Sequence, residues 1–148
     1  VMKFVLVSHG DFAKGLLSAA TMLLGPQAEI EAVGLYPQDG PESFRTRLEA
    51  VLLPEDEGNV IFFSDLFHGT PFNVVTDLSR DHDIYHVTGA NLAVLLEALL
   101  CRSDPGISCQ IVCDNAITAA KESVLDVREL LSSNIEIEDE NEIENEEF

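Results

Sequence analysis

Short, unbroken apolar runs recur along this chain with helical stretches between them, and that alternation restricts its fold more than any other feature. Phe4-Val5-Leu6-Val7 and Val60-Ile61-Phe62-Phe63 have no polar member. A strand that is apolar on both sides must be covered on both faces, which is the situation of a parallel sheet. Ile30 to Leu35, Ile84 to Val87 and Ile107 to Val112 read as three further strands. Between them, Ala13, Leu16, Leu17, Ala20, Leu23 and Leu24 share one helical face ahead of Gly25-Pro26. Phe44, Leu48, Val51 and Leu52 do the same after Asp39-Gly40-Pro41 and before Pro54, and Val74, Val75 and Leu78 follow Thr70-Pro71, with Thr70 as the expected N-cap. Leu92 to Leu100 and Ala116 to Leu131 complete the helices, the last with Ala119, Ala120, Val124, Val127 and Leu131 inward. Strands joined through helices of about 10–15 residues predict an open, doubly wound α/β fold, a mainly parallel sheet with helices on both faces.

Charge narrows the partners. The net charge of −19, from 8 basic and 27 acidic side chains, repels phosphate backbones and anionic lipid, so neither nucleic acid nor a membrane surface is an expected direct partner. Eight of those acids, and no base, fall between Asn134 and Phe148. That stretch, with its alternating Ile135 and Ile137, reads as a low-complexity acidic tail of 134–148 behind a folded domain of 1–133. The 46% of apolar residues is ample for one core. No apolar run approaches the roughly 18 residues of a membrane span, and Val1-Met2-Lys3-Phe4 does not resemble a secretory signal. Cys101, Cys109 and Cys113 lack zinc-type spacing and are expected to be reduced residues of a cytoplasmic protein, with neither metal nor cofactor.

The polar chemistry collects at strand ends. Ser8-His9-Gly10 closes the first strand, Asp65 through Thr70 follows the third, and Gly89-Ala90-Asn91 follows the fourth. In open α/β sheets the crevice beyond the carboxyl ends of the strands is where ligands bind, so adjacent strands would bring these loops together. There Asp65 is placed to accept the N–H of one His9 ring nitrogen, fixing the tautomer and leaving the other lone pair free as a nucleophile. Free amides at the helix start after Thr70-Pro71, with the Thr70 hydroxyl, suit an anion. A neutral imidazole attacking phosphorus, with phosphate oxygens on helix amides, is a workable phosphoryl acceptor. His82 and His86 are expected to be satisfied groups near the fourth strand, and Asp11 a residue of the first helical turn. Phe62, Phe63, Phe67 and Phe72 form an expected core cluster whose rim, Phe67 or Phe72, is available for docking.

The strand ending in Ser-His-Gly, the segment Asp65-Leu66-Phe67-His68-Gly69-Thr70-Pro71-Phe72-Asn73 and the segment from Gly89 to Glu97 together resemble the enzyme IIA component of the mannose-type (mannose/fructose/sorbose) sugar phosphotransferase system. The resemblance runs from about Met2 to Leu131. It implies that His9 takes a phosphoryl group from the phosphocarrier protein HPr and passes it to a IIB protein or domain, with membrane IIC and IID components served indirectly. It implies Asp65 as the partner of His9, and Gly10, Gly69 and Thr70 around the phosphoryl group. A homodimer that exchanges a C-terminal strand, here near Ile107 to Val112, is implied as well. Two positions depart from the family's pattern. His68 stands where the first of two glycines is usual, a place that can require a left-handed backbone angle at a cost of about 1 kcal/mol for histidine. Ala93 stands where proline is usual. The alternatives are the phosphotransfer subunit of a phosphoenolpyruvate-dependent dihydroxyacetone kinase, and a regulatory module read out through His9. A hydrolase is disfavoured because no serine or cysteine sits in a nucleophile elbow.

Overall fold

The structure, a computed structural model, describes residues 1–133. The acidic tail of 134–148 lies outside the described residues. In chain order the elements are β1 (Lys3–His9), α1 (Phe12–Leu24), β2 (Ile30–Leu35), α2 (Pro41–Val51), β3 (Val60–Ser64), α3 (Thr70–Leu78), β4 (Tyr85–Thr88), α4 (Leu92–Cys101), α5 (Cys109–Ser123) and α6 (Val127–Ser132). The four strands are all parallel in the order β2-β1-β3-β4, with Val7 opposite Ser64 and His9 opposite Leu35.

The pleat divides the apolar runs between two cores. Phe4 and Leu6 of β1 and Ile61 and Phe63 of β3 face α1, α4 and α5, while Val5, Val7, Val60 and Phe62 face α2 and α3. Phe4 and Phe63 meet edge to face with centroids 5.1 Å apart. Since every one of these side chains is almost wholly buried, truncating Phe62 or Phe63 to alanine costs about 3–5 kcal/mol, a large share of a domain's stability.

The amino-terminal end of the sheet is closed by charge. Lys3 Nζ donates to Asp56 Oδ2 at 2.8 Å and to the Val51 carbonyl at 2.6 Å, and Leu53 N–H donates to the same carboxylate oxygen at 2.8 Å. Nearby, the guanidinium of Arg102 donates to the carbonyls of Met2, Glu29 and Ala28 and lies 4.5 Å from the Phe4 ring centroid, so the end of α4 is tied to the start of β1.

The carboxyl-terminal third departs from expectation. Ile107 to Val112 is not a strand: Ser108 caps α5 by accepting the Ile111 N–H at 3.2 Å, and Cys109, Val112, Cys113 and Ala116 are buried at helical spacing. The β-branched Ile107, Ile111 and Val112 suggest strand in isolation, whereas i, i+3, i+4, i+7 burial against α4 decides for helix. The described sheet therefore has four strands, and the segment expected to be exchanged between subunits is helical and packed on its own chain. The expected single helix from Ala116 to Leu131 is also interrupted. Val124 is extended, Asp126 caps α6 by accepting the Glu129 N–H at 3.2 Å, and Val124, Val127 and Leu131 point outward.

Candidate functional site

The chain leaves β1 for β2 on one side and returns to β3 on the other, so the boundary between β1 and β3 is the topological switch point of the sheet, where a crevice opens at the strand ends. His9 is the last residue of β1, and Asp65 is the first beyond β3. Asp65 Oδ2 lies 2.8 Å from His9 Nδ1 and also accepts the backbone N–H of His9 at 2.9 Å. A carboxylate so placed calls for a proton on Nδ1 and leaves the lone pair on Nε2. The second oxygen, Oδ1, is buried and has no hydrogen-bond partner among the described residues.

The free side of the ring faces the start of α3. A Cβ at Gly69 would stand 3.1 Å from His9 Cε1 and 3.4 Å from Nε2, and the φ of Gly69 is +91°. Glycine suits that position on both counts: a Cβ would crowd the Nε2 side of the ring, and φ lies where side chains are rarely found. Gly69, not Thr70, is the N-cap of α3; Thr70 and Pro71 open its first turn, and Thr70 lines a recess against Pro41, Glu42 and Arg45 of α2. First-turn N–H groups have no partner within a helix, and they carry its positive dipole end. His68 does adopt a left-handed angle, φ +73°, as its place in the usual glycine pair implies.

The wall opposite α3 comes from the β2–α2 loop. A recess of about 350 Å³ lies between His9, Gly10, Leu35, Tyr36 and Pro37. Gly10, φ +52°, turns the chain out of β1, and its N–H donates to the Leu35 carbonyl at 2.7 Å. Tyr36 escapes sequence reasoning as a site residue, and Ser8 is marked there only as part of the Ser-His-Gly triplet, without a role. The Tyr36 hydroxyl donates to Asp11 Oδ1 at 2.6 Å, so Asp11 anchors this wall rather than serving as a simple first-turn acid. Ser8 is fully buried and accepts the Ala13 N–H at 2.8 Å, bonding the start of α1 to the strand. The Ser-His-Gly triplet was the available signal for Ser8, but nothing local marks Tyr36, which is 27 residues from His9.

The third expected loop serves its own strands. Ala90 N–H donates to the Ser64 carbonyl at 2.9 Å, and Asn91 caps α4 by accepting the Val94 N–H at 2.9 Å, so Ala93 is tolerated without the usual proline. His82 is paired with Glu57 at 2.5 Å, and that hydrogen bond, with another from the Asp83 backbone, holds the Glu57 carboxyl below its ordinary range. His86 is satisfied by Ser64. Leu66 and Phe67, beside Asp65, are well exposed.

Comparison with known proteins fits this geometry. The family model EIIA-man, described as PTS system fructose IIA component, matches residues 3–112. The mannose-specific EIIAB component of Escherichia coli K12 is 33% identical over 102 residues, covering 68% of this chain and 32% of that protein, so the chain spans about a third of the length of that relative. The fructose-specific EIIA component of Bacillus subtilis is 30% identical over 105 residues, covering 69% of this chain and 71% of that one. The crystal structure of phosphotransferase system component EIIA from Streptococcus agalactiae superposes with a TM-score of 0.79 at 29% identity, covering 86% of this chain and 98% of that one. This chain belongs to the EIIA-man family of phosphotransferase-system IIA components.

Proposed function

We propose that this protein is the phosphoryl carrier of a bacterial sugar uptake system, and that His9 is its phosphorylated residue. The observation that carries the reading is the His9–Asp65 pair at the switch point, with Nδ1 2.8 Å from the carboxylate and Nε2 turned toward Gly69 and the start of α3.

The Nε2 lone pair attacks the phosphorus of phosphohistidine on HPr; the N–P bond to the donor ring breaks, and its electron pair returns to that ring. The Nδ1 proton stays in its hydrogen bond, so the product ring is cationic and Asp65 balances the charge. Thr70, Gly69 and Gly10 border the transferred group. A cationic phosphoimidazole is a good leaving group, so the same contact serves the onward transfer to a IIB protein or domain. Leu66 and Phe67, 58% and 61% exposed, supply an apolar docking patch beside the nucleophile.

No described helix is long and apolar enough to cross a membrane. The protein is proposed to act in the cytoplasm as a homodimer, for which the outward apolar side chains of Val124, Leu125, Val127 and Leu131 are the surface available to cover. Residues 1–133 are proposed as the phosphotransfer domain. Incubation with radiolabelled phosphoenolpyruvate, enzyme I and HPr should label the wild-type protein and leave His9→Ala unlabelled; equal labelling of the two would refute the assignment.

A further inference from the structure

Behind Asp65 lies a polar cluster that the transfer chemistry does not use. Ser64, the last residue of β3, is fully buried, and its Oγ lies 2.7 Å from His86 Nε2 and 2.8 Å from Thr88 Oγ1. Thr88 stands opposite Ser64 and His86 opposite Phe62, so all three side chains occupy the face that α3 covers. The other side of the His86 ring packs on Phe72, with centroids 5.2 Å apart. Phe72 in turn packs on Phe67, at 5.2 Å.

Proton counting orders this cluster. Ser64 has one hydroxyl proton, and with that proton donated to Thr88, its oxygen must accept from His86. His86 meets that need as a neutral ring carrying its proton on Nε2. Burial keeps it neutral by pushing its pKa down to about 4. The Ser64 carbonyl is engaged too, by the Ala90 N–H at 2.9 Å. Ser64 is thus held at both its side chain and its backbone, and the next residue along the chain is Asp65.

One ring therefore touches both structures that hold His9. Through Ser64 it is one residue from the carboxylate on Nδ1, and through Phe72 it packs on the first turn of α3, whose N-cap Gly69 faces Nε2. We infer that His86 is a positioning residue for phosphoryl transfer, fixing Asp65 relative to the His9 ring through its hydrogen bond to Ser64. The inference rests on the phosphoryl-carrier reading for its kinetic consequence, but not for its geometric one.

The test compares His86→Leu, which keeps apolar bulk and loses the bond, with His86→Gln, whose side-chain amide can donate near the position of Nε2. Transfer from phospho-HPr should slow about 10-fold in His86→Leu at an unchanged KM, the mark of misplacement rather than weakened docking. His86→Gln should recover to within about 3-fold of wild type. In the partner-free protein, ¹⁵N shifts of the His9 ring should report a single Nδ1–H tautomer in the wild type and in His86→Gln, and a mixture in His86→Leu. Should His86→Leu not fold, Ser64→Ala removes the same bond from its other end and is read the same way. A wild-type rate with unchanged His9 ring shifts in the leucine variant overturns the proposal, as does equal slowing of the leucine and glutamine variants, which would make packing the whole effect. If the wild type takes no phosphoryl group from phospho-HPr, the carrier reading fails, and the ring shifts alone still decide whether His86 positions the pair.

Discussion

Strand β1 carries an aspartate-paired base at each end, and the two pairs are built to opposite specifications. At the amino end, Lys3 and Asp56 have side chains only 7% and 8% exposed, and the shared carboxylate oxygen also takes a backbone N–H. At the carboxyl end, the His9 side chain is 50% exposed, and one oxygen of Asp65 is buried without a partner among the described residues. Both contacts measure 2.8 Å, so distance does not separate them. What separates them is the bonding capacity left over. The Lys3 end holds the fold together and presents little to solvent, whereas the His9 end keeps a lone pair and a carboxylate oxygen uncommitted.

The contrast can be attacked from either side. The largest effect on stability is expected at the closed end: Lys3→Met leaves the Asp56 charge buried and should cost about 3–5 kcal/mol in denaturant unfolding, with transfer per folded molecule unchanged. Adding Asp56→Asn removes the stranded charge and keeps an acceptor for Leu53, so the double variant should regain much of the loss. If the single variant unfolds like wild type, the two ends are not the different devices described.

Asp65→Ala should do the reverse, slowing transfer by roughly 10²-fold while the melting temperature falls only slightly, because the one backbone N–H it leaves unpaired, that of His9, is exposed to water. Asp65→Asn sharpens the point. Rapid-quench rates near wild type would mean that orientation suffices, and rates as slow as alanine's would mean that the charge itself is needed. A large loss of stability with normal transfer would reduce Asp65 to a loop residue.

A smaller effect is expected at His68. Glycine there relieves a left-handed angle worth about 1 kcal/mol but loses the stacking on Phe67, centroids 3.8 Å apart, so His68→Gly should stay within about 1 kcal/mol of wild type. His68→Val, β-branched at that angle, should be clearly less stable in the same melts. Least of all, truncation after Ser133 should leave transfer rate and melting temperature unchanged; a marked drop in either would give the acidic tail a structural part.

The two ends also differ in how far they could be read from sequence. The His9 end is legible because its parts are local: a histidine after one apolar run, a carboxylate after another, and a Gly-Thr-Pro helix start. Adjacent parallel strands bring those ends together without further information. The Lys3–Asp56 pair, 53 residues apart, was not legible, since a lysine before a strand and an aspartate after a proline are ordinary until the turn folds back beneath the sheet. Tyr36 was missed for the same reason. Ile107 to Val112 failed differently: its residues favour strand by side-chain shape, and only the burial of Cys109, Val112, Cys113 and Ala116 against α4 shows the helical period. Val124, Val127 and Leu131 continue the spacing of Ala119 and Ala120 in sequence, but α5 ends at Ser123 and Asp126 starts a new helix, which turns all three outward.

The single oxygen Asp65 Oδ2 receives both the side chain and the main chain of His9. A backbone N–H does not titrate and does not swing, so the carboxylate stays anchored whatever charge the imidazole bears. A positive charge brought to the ring by phosphoryl transfer, as proposed, would meet a scaffold already in place. On the phosphoryl-carrier reading proposed above, the same anchor serves both loading and unloading of the ring. The direction of flow would then be set by the phosphorylation potentials of the two partners, with the protein as a reversible junction between them.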